Sequence, residues 1–166
     1  MVQLTEAPVD SPNFDSLLQQ LVDAVTHHVE RRTSTIDMFE QLDFIYQPSR
    51  NAAADLEHYV DAFGAEPVFA IERFGTRVAM VRLTADSPGL LFAEHLAGDQ
   101  AILIFRVASL EEAIAQITES GGRIGDRFEM PYGVGAQLIL PGPQRLAIYE
   151  ATHAERGRSI TGRRDF

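Results

Sequence analysis

Residues 42–64 read LDFIYQPSRNAAADLEHYVDAFG, and 58 positions later residues 100–122 read QAILIFRVASLEEAIAQITESGG. In the first stretch a β-rich run, Leu42–Gln47, meets a turn at Pro48–Asn51. A helix carrying Leu56, Tyr59, Val60 and Phe63 at three- and four-residue spacing follows, and Gly64 ends it in the manner of a left-handed cap. The second stretch repeats this order: Ala101–Val107 is the run, Ser109 with Glu112 three residues on forms a capping box, and Gly121-Gly122 stops the helix after Leu110, Ile114 and Ile117. The shift of 58 places Phe44 on Ile102, Leu56 on Ile114, Tyr59 on Ile117 and Gly64 on Gly122. Each helix is followed by three short β-rich runs. They are Pro67–Arg73, Arg77–Thr84 and Leu90–His95 in the first copy, and Arg123–Met130, Val134–Leu140 and Arg145–Ala151 in the second. The expectation is an α+β fold of two βαβββ modules, about 42–95 and 101–151, whose strands form a curled mixed sheet around a cleft.

Outward from this core, residues 1–40 are expected to form a helical extension, 41–153 the duplicated domain, and 154–166 a tail. In the extension, Phe14, Leu17, Leu18, Leu21, Val22, Val25 and Val29 keep a helical period behind the start signal Ser11-Pro12. His27 and His28 near its end point about 100° apart and read as solvated end-of-helix residues. The tail gathers Arg156, Arg158, Arg163 and Arg164 ahead of Phe166 on a chain of net charge −10, and either stays disordered or docks on an acidic face.

Composition narrows the chemistry. With no Cys and no Lys, thiolate nucleophiles, disulfides, zinc-thiolate sites, lysine Schiff bases and P-loop lysines are excluded. The 24 acidic residues against 14 arginines argue against nucleic acid and anionic membranes as partners. No apolar run reaches the roughly 20 residues of a membrane span, and MVQLTEAPVDSPNF lacks a signal-peptide layout. A soluble, cytoplasmic protein is expected.

The two modules, the helix end Tyr59-Val-Asp-Ala-Phe-Gly-Ala65 and the stretch Leu140-Pro-Gly-Pro-Gln-Arg-Leu-Ala-Ile-Tyr-Glu150 together resemble the vicinal oxygen chelate superfamily, which comprises glyoxalase I, extradiol dioxygenases and bleomycin-resistance proteins. The resemblance covers about Leu42 to Thr152. It implies metal ligands, usually His or Glu, on the first and last strand of each module. Carried onto this chain, those positions are Leu42 or Phe44, Glu94, Ile102 and Ala147, and Glu94 alone among them is a ligand type. About three protein ligands hold a catalytic divalent ion. A strand register shifted by one would bring His95 and Glu150 inward instead.

With the parity the resemblance implies, the cleft is lined by Phe44, Tyr46, Phe92, Glu94, Ile102, Arg145 and Tyr149. That is an apolar, aromatic hollow with few polar anchors, the makeup of a small-molecule pocket. Arg145 is either a fork for an anionic ligand, a partner of Glu94, or solvent-facing. Glu94 is either a general base or a carboxylate at the cleft edge. Tyr46 and Tyr149 read as packing residues with satisfied hydroxyls, and Phe128 and Tyr132 sit on a glycine-rich loop able to close over a ligand. Three functions follow. The leading one is a small-molecule binding protein of the bleomycin-resistance type, a homodimer with no metal and no cofactor. The others are a metal-dependent lyase, isomerase or dioxygenase using Glu94, His95, His58 and Glu150, and a dimeric interaction domain built on the N-terminal helix.

Overall fold

The computed structural model describes residues 18–20, 22–23 and 38–166. The chain divides into two compact units, Met1–Asp37 and Met38–Phe166. In the first unit residues 18–20 and 22–23 are helical, and the remainder of the expected Phe14–Val29 helix lies outside the described residues.

The second unit opens with β1 (Gln41–Pro48), α1 (Ala52–Phe63), β2 (Glu66–Arg73), β3 (Thr76–Arg82) and β4 (Gly89–Ala93). The same series follows as β5 (Ile102–Val107), α2 (Leu110–Glu119), β6 (Arg123–Met130), β7 (Gly133–Ile139) and β8 (Arg145–Glu150), and α3 (Ala154–Ile160) ends it. All eight strands join one mixed sheet in the order β2-β3-β4-β1-β5-β8-β7-β6. Within each module the first strand lies parallel to the last, β1 beside β4 and β5 beside β8. Across the seam β1 and β5 pair antiparallel, so one strand order is repeated on either side of it. The sheet curls without closing, and β2 and β6 are its two edges. The duplicated α+β architecture read from the sequence is therefore the fold.

Each helix covers the outer face of its own module. Asn51 caps α1 by accepting from the Ala54 amide, and Ser109 caps α2 by accepting from the Glu112 amide, two residues separated by the repeat shift of 58. At its other end α1 stops at Gly64 with φ 66, where the Gly64 and Ala65 amides bond the Val60 and Tyr59 carbonyls. In the second module Gly121, with φ 83, occupies the left-handed position. The conformational match is thus Gly64 with Gly121, one residue short of the sequence alignment, because α2 is 10 residues long against 12 for α1.

Three apolar clusters result. Ala52, Ala65, Ala70, Ala79, Val81 and Phe92 pack under α1, where the small residues let helix and sheet approach closely. Val107, Leu110, Ala113, Ala136 and Ile148 do the same under α2. On the inner face Phe44, Phe69, Met80, Leu91, Ile102, Ile104, Ala147 and Tyr149 come from both modules and form one cluster.

Residues 162–165 run along the β2 edge. The Gly162 amide bonds the Val68 carbonyl at 2.8 Å, the Ala70 amide bonds the Arg163 carbonyl at 2.8 Å, and the Asp165 amide bonds the Ala70 carbonyl at 2.7 Å. Phe166 packs beside the cluster under α1, with the Arg77 guanidinium 5.2 Å from its ring.

Candidate functional site

The curled sheet encloses a cavity of about 460 Å³ on its inner face. Its walls come from both modules: Phe69, Ile71, Val78 and Leu91 from the first, and Ile102, Ile104, Phe128, Met130 and Ala147 from the second. Tyr132 leans over it from the β6–β7 turn, its ring 4.9 Å from that of Phe44. Phe74, in the β2–β3 turn at the rim, is 92% exposed and holds a left-handed backbone with φ 54. An exposed phenylalanine in that conformation gains neither burial nor relaxed backbone from its position.

Polar groups are few in this cavity. At its mouth Tyr46 Oη lies 2.9 Å from His95 Nε2, and Thr76 Oγ1 lies 3.2 Å from His95 Nδ1, so three side chains form one hydrogen-bonded row. Tyr46 has no charged partner, and burial alone pushes its hydroxyl up to about 12. Burial raises Tyr132 too, with Arg82 acting in the opposite direction. On the far wall Gln137 and Glu129 contribute polar atoms, and the Glu129 carboxylate is engaged by Arg156 at 2.7 Å. Behind the lining residues Tyr149 donates to Asp43 at 2.5 Å. Asp43 is 6% exposed, sits at the bulge in β1, and also accepts from Ser87 at 3.1 Å. Burial, then that bond and the Asp43 charge, raise the Tyr149 hydroxyl.

The candidate lining residues fall into three groups. Tyr46 and Ile102 line the cavity, while Phe44 and Tyr149, with ring centroids 5.7 Å apart, are buried in the inner-face cluster and do not line it. Phe92 and Glu94 do not face the cavity. Phe92 packs against Tyr59 of α1 at 4.8 Å, and Glu94 Oε1 accepts from the Ala52 amide at 3.0 Å, capping the start of that helix. Every residue of β4 from Gly89 to Ala93 is apolar, as in any strand covered on both faces, so alternation could not tell inside from outside. The inward parity is Leu91 and then His95. Arg145 is also displaced: it lies at the start of β8 and holds the linker between modules, donating to the Ala97 carbonyl at 3.0 Å and the Gln100 carbonyl at 3.4 Å. The expected Arg145–Glu94 pair is accordingly absent, since each has another partner.

The atypical donor set is not assembled either. Glu150 Oε2 accepts from the Leu110 amide at 2.9 Å and so caps α2 as Glu94 caps α1. His58 lies on α1, edge to face with Phe63 at 5.4 Å, and of the four only His95 reaches the cavity. Among the described residues no group of three or more His, Asp or Glu is placed to hold a metal ion. Of the positions to which the resemblance carries metal ligands, Phe44, Ile102 and Ala147 are buried and apolar, and the remaining one, Glu94, is engaged by the Ala52 amide outside the cavity. These residues do not fit a resident divalent ion. Further lining residues, Phe69, Ile71, Val78, Leu96 and Gln137, were not legible as such because β2, β3 and β7 carry apolar residues on both faces.

No family model and no curated protein sequence matches the chain. Solved structures do match. Methylmalonyl-CoA epimerase from Mycobacterium tuberculosis superposes with a TM-score of 0.60 over 70% of this chain and 91% of that chain, at 14% identity. A hypothetical protein from Bacillus halodurans gives 0.58 over 66% and 93%, at 16% identity. A methylmalonyl-CoA epimerase in complex with methylmalonyl-CoA and NH4+ gives 0.56 over 70% and 97%, at 16% identity. With the strand order above, these likenesses show that the chain has the vicinal oxygen chelate fold.

Proposed function

We propose that the protein binds a small, largely apolar molecule in the cavity between its modules and uses no resident metal ion to do so. The observation that carries this reading is the cavity itself: about 460 Å³, within the range of small-molecule sites, with mainly aliphatic and aromatic walls that include Ile102 and Ala147, two of the positions where the superfamily resemblance implies ligands. The hollow is open and not packed shut by Phe44, Phe92 and Tyr149, which favours ligand binding over a purely structural interaction domain. The binding residues in this reading are Tyr46, Ile102, His95 and Tyr132, with Phe44 and Tyr149 as support. The cavity is lined within one chain, so a second copy is not needed to complete it. The protein is cytoplasmic and homodimeric in this reading, and sedimentation velocity tests the latter. The direct test is saturation-transfer NMR with naphthalene and 2-naphthol. Both signals should transfer with the native protein and fade with Val78→Trp or Ala147→Phe, which fill the hollow. No transfer to either probe would contradict the reading.

A second reading is favoured by one observation. The cavity brings together two titratable side chains, His95 and Tyr46, in direct hydrogen-bond contact, and the fold is shared with epimerases. In this reading His95 takes a proton from a carbon beside a bound carbonyl. The probe is 2-tetralone in heavy water. Accelerated deuterium uptake that His95→Gln abolishes would establish proton transfer, and uptake at the uncatalysed rate would leave binding alone.

A further inference from the structure

Two of the cavity's polar side chains, His95 and Tyr46, are hydrogen-bonded to each other, and Thr76 extends them into a row of three. Apart from Glu129, Gln137 and the Tyr132 hydroxyl, the other lining side chains are hydrocarbon. A neutral imidazole has one donor and one acceptor nitrogen. Hydroxyls can serve as either, so the row runs in two directions. With the proton on His95 Nδ1, Thr76 accepts, Tyr46 donates to Nε2, and the Tyr46 oxygen keeps lone pairs for a ligand hydroxyl. With the proton on Nε2, Tyr46 accepts from His95 and turns its own O–H to a ligand carbonyl. The phenolic oxygen has capacity for more bonds than the single one it makes to His95.

Charge restricts the occupant further. Among the described residues no arginine lines the cavity. Arg145 is committed to the 97–100 linker, and the carboxylate on the wall, Glu129, is taken by Arg156. A fixed anion such as a sulfonate or phosphate finds no permanently charged cation on these walls, and leaving it in an apolar site without one is costly.

Resting on the ligand-binding reading above, we infer that the cavity selects an uncharged, mainly aromatic molecule with one oxygen at its end, a phenol or ketone, whose oxygen joins the Thr76–His95–Tyr46 row. The hydrocarbon part fills the space between Phe69, Leu91, Ile104 and Phe128. Tyr46 is the specificity-determining residue, because of the row's two hydroxyl-bearing side chains it is the one that lines the cavity.

The experiment is equilibrium dialysis of three probes of one ring size: naphthalene, 2-naphthol and naphthalene-2-sulfonate. The native protein is expected to hold 2-naphthol about three- to tenfold tighter than naphthalene, the range one hydrogen bond provides, and to hold the sulfonate most weakly. Tyr46→Phe should bring 2-naphthol down to the level of naphthalene while naphthalene changes less than twofold. His95→Phe supplies a second variant that breaks the row without touching Tyr46, and should cut the same preference. A sulfonate bound most tightly, or a 2-naphthol preference intact in both variants, would overturn this inference and leave the cavity reading standing. Failure of all three probes to bind would overturn the ligand-binding reading, and this inference with it.

Discussion

Glu94 and Glu150 illustrate what decides a residue's role. Glu94 directly follows β4 at a position where the superfamily resemblance implies a metal ligand, and Glu150 ends β8, yet each accepts from the first amide of its module's helix. A carboxylate there satisfies an otherwise orphaned donor and meets the positive end of the helix dipole. Glu94→Ala is expected to lower unfolding free energy by about 1 kcal/mol in urea denaturation and to leave probe binding unchanged; lost binding with unchanged stability would restore Glu94 to the site. Phe74→Gly makes the opposite trade. It relieves the left-handed strain, raising stability by roughly 1 kcal/mol, and removes a rim contact, so 2-naphthol affinity falls. Burial pushes the Tyr46 hydroxyl up to about 12 from an ordinary value of about 10. A raised tyrosine keeps its proton in the fold while the unfolded chain ionises, so its contribution is complete below pH 10 and is lost as pH rises toward 12. Absorbance titration at 295 nm should show one fewer late-ionising tyrosine in Tyr46→Phe. At this scale the sequence was legible only where chemistry breaks symmetry. Asn51 and Ser109 could be read as caps, but Leu91 and Phe92 in an all-apolar strand gave no sign of which faces inward.

At the scale of elements the strands and helices could be read almost to the residue, because Pro48–Asn51, Gly64, Ser109 and Gly121-Gly122 carry turn and cap chemistry that does not depend on distant contacts. The tail could not be read in this way. Its docking depends on an edge strand more than ninety residues earlier: the Glu72 amide donates to Asp165 at 3.0 Å, and the Arg164 guanidinium reaches the Pro67 carbonyl. Residues 162–165 cover backbone groups that an open β2 edge would offer to other chains. α3 carries the chain there across the β6–β7 turn, with Gly157 so close to the Tyr132 ring that a side chain has no room. Gly157→Val is expected to cost about 1–3 kcal/mol through overpacking and to speed tryptic cleavage at Arg156, Arg158, Arg163 and Arg164; an unchanged cleavage rate would mean the tail does not depend on that contact.

For the whole molecule, duplication is the organising fact. Two βαβββ modules joined through β1 and β5 curl one sheet about a shared hollow, and the repeat shift of 58 already contained that arrangement. The character of the hollow follows from the residues at equivalent positions: Phe44, Ile102 and Ala147 belong to one apolar cluster where the superfamily resemblance implies donors, and oily walls exchange coordination chemistry for burial. The account turns on whether that hollow works without a metal. Isothermal titration of 2-naphthol into protein dialysed against EDTA, repeated with added Mn2+ and Zn2+, tests this most directly. One saturable site with the same affinity in all three conditions is the expected result; binding that appears only when a metal ion is restored would contradict it.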